Sequence, residues 1–284
     1  RTTERMLFNS LQFAVFFPVA ALIYFIIPRK LRCIWLLAAS YAFYMSAGPK
    51  YAVLLLFSTA VTFCGGLLLE RAPENRKKTV LALTFAASLA VLVFFKYFDF
   101  LLGNLNTVLG MLGAGPVSRP FSFALPAGIS FYTFQALGYL VDVYRGDTKP
   151  EKNFVRYALF VSFFPVILSG PIGRSTNLLR QIRELPEKKL WNFERVTGGL
   201  VLALFGLFQK MVIADRVAIL ANQVFDNYRM YEMFGLLVGA VAYTIQIYCD
   251  FASYSMMALG VAKVLDFGIM ENFNTPYFAR AMRD

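Results

Sequence analysis

Histidine is absent from the 284 residues, and this absence excludes several kinds of chemistry at once. Without imidazole, the chain cannot build a Ser-His-Asp triad, a histidine-ligated zinc or haem site, or a histidine proton shuttle. Cysteine is scarce as well: Cys33, Cys64 and Cys249 stand far apart within apolar stretches, and this spacing predicts neither a disulfide framework nor a metal site. We therefore expect no metal, and any catalysis uses other groups or a group that lies outside these residues.

Charged residues are also few, at 16%, whereas hydrophobic residues make up 58% and aromatic residues 17%. Soluble globular domains are about 25% charged and about 45–50% apolar. A soluble domain of this length could not bury so many large apolar side chains in its core. The composition therefore predicts that much of the surface faces lipid.

Long uncharged runs divide the chain into lengths that can cross a membrane. The first, residues 6–28, has no charged residue and is long enough for a helix to cross about 30 Å of hydrocarbon. Further runs with little or no charge lie at 33–49, 51–69, 79–95, 120–141, 157–173, 196–209 and 233–262. This pattern predicts an all-α, polytopic transmembrane helical bundle of about seven to nine membrane segments. We interpret residues 1–5 as a non-native or over-extended leader and residues 6–284 as a single membrane domain.

Basic residues cluster between the apolar runs, and Lys and Arg outnumber Asp and Glu by 28 to 17. Clusters in this position are typical of cytoplasmic loops, so nucleic acid is not an expected partner. They occupy 28–32, 70–78, 145–156 and 174–195. Their alternation with the apolar runs predicts a multi-pass inner-membrane protein with its N-terminus outside and residue 284 in the cytoplasm.

The run 157–173 breaks this alternation, because basic loops flank it on both sides. It also contains Phe164-Pro165 and Gly170-Pro171, and proline cannot continue an unbroken helix. We predict a broken or re-entrant element that enters the membrane and returns to the same side. Non-helical backbone at membrane depth is tolerated only where protein buries it or where it lines a cavity, so this run is a candidate functional segment.

A polar stripe occupies the last apolar run. Gln246, Asp250 and Ser253 fall on one face of a helix, and Tyr243 lies about one turn earlier. An ionisable group within a membrane segment is costly and is a functional candidate by default. Two interpretations remain open: the stripe lines a functional cavity, or it supplies hydrogen bonds between helices. Other charged groups near the runs are interpreted as interfacial, namely Lys96, Asp99, Asp142, Lys210, Asp215 and Arg216.

Several sequence blocks share the order found in a known family. They are 125–135 with 139–146, the Phe-Phe-Pro…Gly-Pro-Ile-Gly-Arg block at 163–174, 243–251, and 271–280. In this combination the chain resembles the membrane-bound O-acyltransferases (MBOAT), and within them the bacterial branch that O-acetylates exported polysaccharides such as alginate. The resemblance extends over nearly the whole chain from Met6.

The resemblance implies particular site residues. The family's signature histidine is expected a few residues beyond Asp284, so we expect these 284 residues alone to be inactive. The second signature polar residue maps to Asp250, which is the predicted catalytic residue of this chain. The predicted tunnel and substrate-binding residues are Gln135, Pro165, Gly170, Pro171, Arg174, Tyr243, Gln246 and Ser253. Met256 stands where many relatives carry a second aspartate, and this departure leaves the substrate open.

The resemblance also implies acyl transfer without a bound cofactor. A cytoplasmic acyl thioester, acetyl-CoA in relatives, is the expected donor, and Arg174 is expected to meet its phosphates. The acceptor is an exported polysaccharide or another cell-envelope polymer, reached through a periplasmic or extracellular transferase or carrier protein. Two other functions remain open on the residues alone: a transporter or flippase, and a non-catalytic scaffold of a polysaccharide secretion complex.

Overall fold

The computed structural model describes residues 6–113, 115–118, 126–168, 170–171, 173–188, 191–273 and 277. These residues form helices and no strand, which confirms the all-α prediction. Residues 1–5, interpreted as a leader, and residue 284, predicted to be cytoplasmic, lie outside the described residues. The helices are α1 Leu11–Ile26, α2 Arg32–Met45, α3 Pro49–Arg71, α4 Glu74–Met111, α5 Ile129–Arg145, α6 Phe154–Ser162, α7 Phe164–Ile167, α8 Ser175–Arg183, α9 Phe193–Phe208, α10 Asp215–Asp226 and α11 Met233–Val264.

Four helical segments within the described residues are long and apolar enough to cross a membrane. They are α3, α4, α11 and the continuous helix Phe193–Asp226, which joins α9 to α10. Helix α1 and the segment Phe154–Ile167 are shorter apolar helices. Several of the predicted runs are therefore present as helices of less than full membrane length. The chain has the architecture of a polytopic membrane protein.

The best-buried part of the bundle surrounds α6 and α7. Every residue from Tyr157 to Ile167 is buried, and α2, α3, α5 and α8 pack around these two short helices. A helix that is apolar on all sides is stable only where protein or lipid covers the whole of its surface. Here the covering is protein, so the predicted broken segment lies in the core of the bundle.

The predicted break occurs at Phe163, between α6 and α7. The break leaves helical backbone groups without their usual partners, and two distant side chains satisfy them. Gln135 of α5 donates from Nε2 to the carbonyl oxygen of Phe160 at 2.6 Å. The N–H of Phe164 donates to Oγ of Ser40 on α2 at 3.1 Å. The prediction of a broken element is thereby confirmed, with α2 and α5 holding its two sides.

The turn after α7 requires glycine because the backbone passes close to itself. A Cβ at Gly170 would lie 2.6 Å from the carbonyl oxygen of Pro165. A Cβ at Gly128, which has a φ of +72°, would lie 2.2 Å from the carbonyl oxygen of Ile167. Any larger residue at these two positions would force the turn away from α7 and from the start of α5.

Polar contacts join the loops that the charge pattern predicts to share one side. Lys152 pairs with Glu70 at 3.3 Å, and Arg183 pairs with Glu151 at 2.6 Å. The remaining contacts run from Arg32 Nη1 to the carbonyl oxygen of Lys188 at 3.3 Å and from Arg195 to Asp266 at 3.0 Å. We call these eight residues and their loops the charged end of the bundle. Segment 154–183 starts and finishes there, as a re-entrant element must.

Glycines set the register of α9 against α11. A Cβ at Gly199 would lie 2.8 Å from the carbonyl oxygen of Gly260, and one at Gly206 would lie 2.8 Å from that of Ser253. The two antiparallel helices therefore touch backbone to backbone over two turns, as small residues permit between membrane helices. One turn further along this register, Lys210 comes opposite Asp250.

Replacing Gly206 by Ala tests this close approach. Because the new methyl group would meet backbone atoms, we expect overpacking to cost about 1–3 kcal/mol and to lower the melting temperature of the detergent-purified protein by several degrees. Gly103→Ala is the matched control, since nothing lies within 4 Å of its Cβ position, and alanine in an open helix interior is favourable by up to about 1 kcal/mol. Equal effects of the two changes on melting temperature would refute the proposed register.

Candidate functional site

An ion cluster lies at the centre of the longest contact between α9–α10 and α11. The Nζ atom of Lys210 forms a short ion pair with Oδ1 of Asp250 and lies 2.8 Å from Oδ1 of Asp215. It also lies 5.9 Å from the centre of the Tyr254 ring. The Lys210 side chain is 14% exposed, whereas those of Asp250 and Asp215 are 34% and 47% exposed. The ammonium is thus the buried member of the cluster, and the two carboxylates flank it.

A π-helical turn, Gln209–Ala214, brings Lys210 and Asp215 together. The N–H of Asp215 donates to the carbonyl oxygen of Lys210, five residues earlier. In a regular α-helix, residues five apart point to different sides, whereas a π turn places them on one side. The wider turn is therefore the reason that one lysine contacts a carboxylate on its own helix and another on α11.

The sequence interpretation of Lys210 and Asp215 as interfacial gave them no part in the site, whereas the structure places both in this cluster. Lys210 stands at the midpoint of the helix Phe193–Asp226. It was left out of the site because the first charge after run 196–209 was taken as the boundary of the membrane segment. A signal was present: an apolar stretch from Met211 to Ala214 follows Lys210 directly. Lys210 is the site residue that sequence reasoning missed.

The other residues of the predicted stripe differ in what they contact. Ser253 is fully buried, and its Oγ donates to the backbone carbonyl of Asp250 at 2.9 Å. Gln246 has a buried Oε1 atom with no hydrogen-bond partner among the described residues. Tyr243 is exposed, and its ring packs edge-on against Phe225 of α10 at 5.6 Å. Within the stripe, Gln246 therefore has an unpaired buried acceptor atom, and Asp250 has a partly exposed carboxylate.

A cavity of about 570 Å³ lies where α5 meets the start of α8. Gln135 and Arg174, both predicted tunnel residues, line it together with Asp142 and Arg145. Oδ2 of Asp142 accepts a hydrogen bond from Oγ of Ser175 at 2.5 Å, which ties α5 to α8. Asp142 therefore contacts protein at the cavity wall, and the cavity carries side chains of both charges.

A second cavity of about 570 Å³ opens at the charged end between α8, α9 and the end of α11. Lys188, Arg195 and Lys263 line it, with the carboxylates of Glu184, Asp266 and Glu271. It adjoins a cavity of about 220 Å³ that reaches Tyr248 and Ser255, since Leu202, Leu259 and Glu271 line both. The two cavities therefore lie next to each other along α11, from the charged end towards its middle, and we call them together the groove.

Asp266 organises the basic side of this groove. It adopts a left-handed backbone conformation with a φ of 67°, and Lys188 donates to its backbone carbonyl oxygen. Arg195 pairs with its carboxylate at 3.0 Å. Burial lowers the pKa of the Lys188 ammonium, and the nearby Asp266 carboxylate opposes this shift. Asp266 therefore holds both cations in fixed positions.

The predicted site residues therefore fall into two groups. Asp250, Gln246, Ser253 and Tyr243 lie on α11 near the ion cluster. The second group comprises the residues of the broken segment and its surroundings, namely Gln135, Pro165, Gly170, Pro171 and Arg174. Pro165, Gly170 and Pro171 are buried and shape the turn, whereas Gln135 and Arg174 reach a cavity.

Relatives among curated proteins match nearly the whole chain. The probable alginate O-acetylase AlgI of Pseudomonas aeruginosa is 35% identical over 286 residues, which cover 98% of this chain and 53% of that protein. The peptidoglycan O-acetyltransferase of Helicobacter pylori is 31% identical over 310 residues, which cover 98% of this chain and 58% of that protein. The teichoic acid D-alanyltransferase of Bacillus subtilis is 27% identical over 173 residues, or 60% of this chain and 42% of that protein.

No protein-family model matches the chain, and the chain spans about half the length of the first two of these relatives. The described residues form an all-helical membrane bundle, and the relatives are proteins whose names describe O-acetylation. The resemblance seen in the motifs is confirmed: relatives at 31–35% identity over 98% of the chain are of the membrane-bound O-acyltransferase type.

The amide of Gln135 offers a direct test of how the broken segment is held. In Gln135→Met the carbonyl of Phe160 loses its donor while it stays buried, and an unsatisfied buried group costs about 1–3 kcal/mol. We expect a lower melting temperature in detergent and faster proteolysis. Thr107→Val is the control, since its hydroxyl donates to its own helix on an exposed face. A Gln135→Met protein as stable as the control would show that Gln135 does not support the break.

Proposed function

We propose that the protein to which this chain belongs transfers an acyl group, most simply acetyl, from a cytoplasmic thioester to a polymer outside the membrane. The supporting observation is the relationship over 98% of the chain to proteins whose names describe O-acetylation of alginate and of peptidoglycan. Acetyl-CoA is the proposed donor, and no bound cofactor is needed because the thioester carries the activated acyl group.

The groove at the charged end is the proposed entry for the donor. Lys188, Arg195 and Lys263 would bind the anionic part of the donor, and the groove would direct its thioester along α11. This proposal moves the main anion contact away from Arg174, which lines the other cavity of similar volume. It also places the charged end on the cytoplasmic side, in agreement with the excess of basic residues in its loops.

Asp250 is the proposed catalytic residue of this part of the protein. By the family resemblance, a histidine beyond Asp284 would act as general base on the acceptor hydroxyl or as acyl relay. Asp250 would hold that imidazole in one tautomer and stabilise its charged form, as the third member of a catalytic triad does. Gln246, one helical turn away, offers a second acceptor atom.

The acceptor lies on the opposite side of the membrane in this scheme. We propose an exported polysaccharide or another envelope polymer, with a periplasmic or extracellular transferase or carrier as partner and a bacterial inner membrane as location. The N-terminus would then lie outside and residue 284 inside.

Acetyl transfer by the full-length protein tests the proposal. Membranes that contain the protein should consume labelled acetyl-CoA and acylate an acceptor fraction, and Asp250→Asn should lower the rate by about 10²- to 10⁴-fold. Asp226→Asn is the control, because that exposed carboxylate ends α10 away from the cluster. If the unsubstituted protein neither transfers acetyl nor hydrolyses acetyl-CoA, the transporter and scaffold alternatives are favoured instead. Full activity of Asp250→Asn would remove Asp250 from the site.

The donor groove makes a separate kinetic prediction. Lys263→Ala should raise the KM for acetyl-CoA about threefold to tenfold at low salt, because an ion pair at a partly exposed site contributes about 1 kcal/mol, and kcat should change little. The effect should shrink as salt rises. Lys30→Ala removes the same charge from a loop outside the groove and should leave KM unchanged. Equal KM values for the two variants would contradict entry through this groove.

A further inference from the structure

We propose that Lys210 is the positioning residue for Asp250: its ammonium, held in place by Asp215, fixes the carboxylate of Asp250 in one orientation. The functional part of this inference rests on the function proposed above, whereas the electrostatic part does not. Neither the family motifs nor the names of the relatives assign a role to Lys210 or Asp215.

The register between α9 and α11 determines where Lys210 lies. Gly199 and Gly206 let α9 lie against the backbone of α11, and Lys210 follows at the next turn. The position of its Cα opposite Asp250 is therefore set by backbone contact rather than by side-chain flexibility. A lysine at an arbitrary point on the helix would have to lose side-chain entropy to find a partner.

The π turn at Gln209–Ala214 also holds Lys210 in place. A π turn is energetically less favourable than a regular helix and is frequently found at functional sites. Here it has a specific consequence, since it brings Asp215 within 2.8 Å of the Lys210 ammonium. Asp215 thus holds Lys210 from the same helix. The position of the ammonium therefore does not depend on its contact with Asp250 alone.

The ion cluster carries a net negative charge. One ammonium and two carboxylates sum to a formal charge of −1, and Lys210 contacts one oxygen, Oδ1, of each carboxylate. The Asp250 side chain is 34% exposed, and its Oδ2 atom can therefore accept a hydrogen bond from a further donor. An N–H donor that approaches from the exposed side would therefore meet an oriented, negatively charged acceptor. An imidazole that becomes cationic during catalysis requires such an acceptor.

The alternative is a purely structural ion pair that joins two helices. A structural pair predicts that loss of Lys210 lowers stability and lowers activity only in proportion to the amount of folded protein. A positioning role predicts that folded Lys210→Met protein has a lower kcat, a similar KM for the donor, and an Asp250 carboxyl group that reacts faster with a carboxyl-modifying reagent, since its cation partner is gone.

Dicyclohexylcarbodiimide, an apolar reagent that modifies protonated carboxyl groups, provides a readout independent of turnover. In the full-length protein, Lys210→Met should accelerate modification of Asp250 about tenfold, because the carboxyl group loses the ammonium that contacts and neutralises it. Lys210→Arg should retain slow modification, and Asp215→Asn should lie between the two. Lys96→Met removes a lysine from α4, outside the cluster, and should behave as the unsubstituted protein.

Turnover of the same variants completes the test, with rates normalised to folded protein from size-exclusion chromatography. We expect Lys210→Met to lower kcat about 10- to 100-fold with KM changed less than about twofold, and Lys210→Arg to recover most of the rate. The double variant Lys210→Met with Asp250→Asn should be no slower than Asp250→Asn alone, since the lysine acts through the aspartate.

Each outcome has a separate meaning. Equal carbodiimide modification in Lys210→Met and the unsubstituted protein overturns the inference, whatever the activity. Faster modification with unchanged kcat overturns the positioning role and leaves a structural pair. Faster modification in a protein whose unsubstituted form transfers no acyl group contradicts the proposed function, while the electrostatic control of Asp250 by Lys210 stands.

Discussion

A backbone polar group at membrane depth must find its partner within the protein, and the architecture of this chain follows from that requirement. The break at Phe163 frees a carbonyl and an N–H in the best-buried part of the bundle. Gln135 and Ser40, from two different helices, satisfy them. Each unsatisfied group would cost several kcal/mol in hydrocarbon. The broken segment is therefore possible only because α2 and α5 are already in place around it, and the surrounding helices are in turn held by the element that they enclose.

The same requirement applies with greater force to the charges. Asp250 would be expensive in the middle of an apolar helix, and the structure meets this cost with Lys210 rather than with solvent alone. The pairing depends on glycine contacts between α9 and α11 and on a π turn, neither of which is itself charged. Backbone packing thus determines where the ion pair lies. The stability of this part of the bundle and the placement of its candidate catalytic carboxylate have one common cause.

These dependencies explain what the sequence could predict. Proline fixes its own backbone and restricts the residue before it, so Phe164-Pro165 and Gly170-Pro171 predict the break without knowledge of any partner. The stripe through Asp250 follows from helical periodicity alone. Lys210 could not be assigned in this way, because its position opposite Asp250 depends on a contact between residues 40 apart in the chain and on a turn that departs from the 3.6-residue period. The pairing of Gln135 with Phe160 is non-local for the same reason.

The separation between the charged end and the ion cluster constrains the proposed chemistry. Lys263 and Asp250 stand thirteen residues apart on α11, which corresponds to about 20 Å along the helix axis. A donor whose anionic part stays among Lys188, Arg195 and Lys263 must therefore carry its reactive carbonyl on an arm of comparable length. Acyl thioesters built on a long, narrow, largely uncharged arm satisfy this requirement. A small acyl phosphate would instead bring its charge to the cluster, and the carboxylates of Asp215 and Asp250 would repel it. Within the proposed function, this separation and the charges at its two ends are the reasons to propose an extended thioester donor.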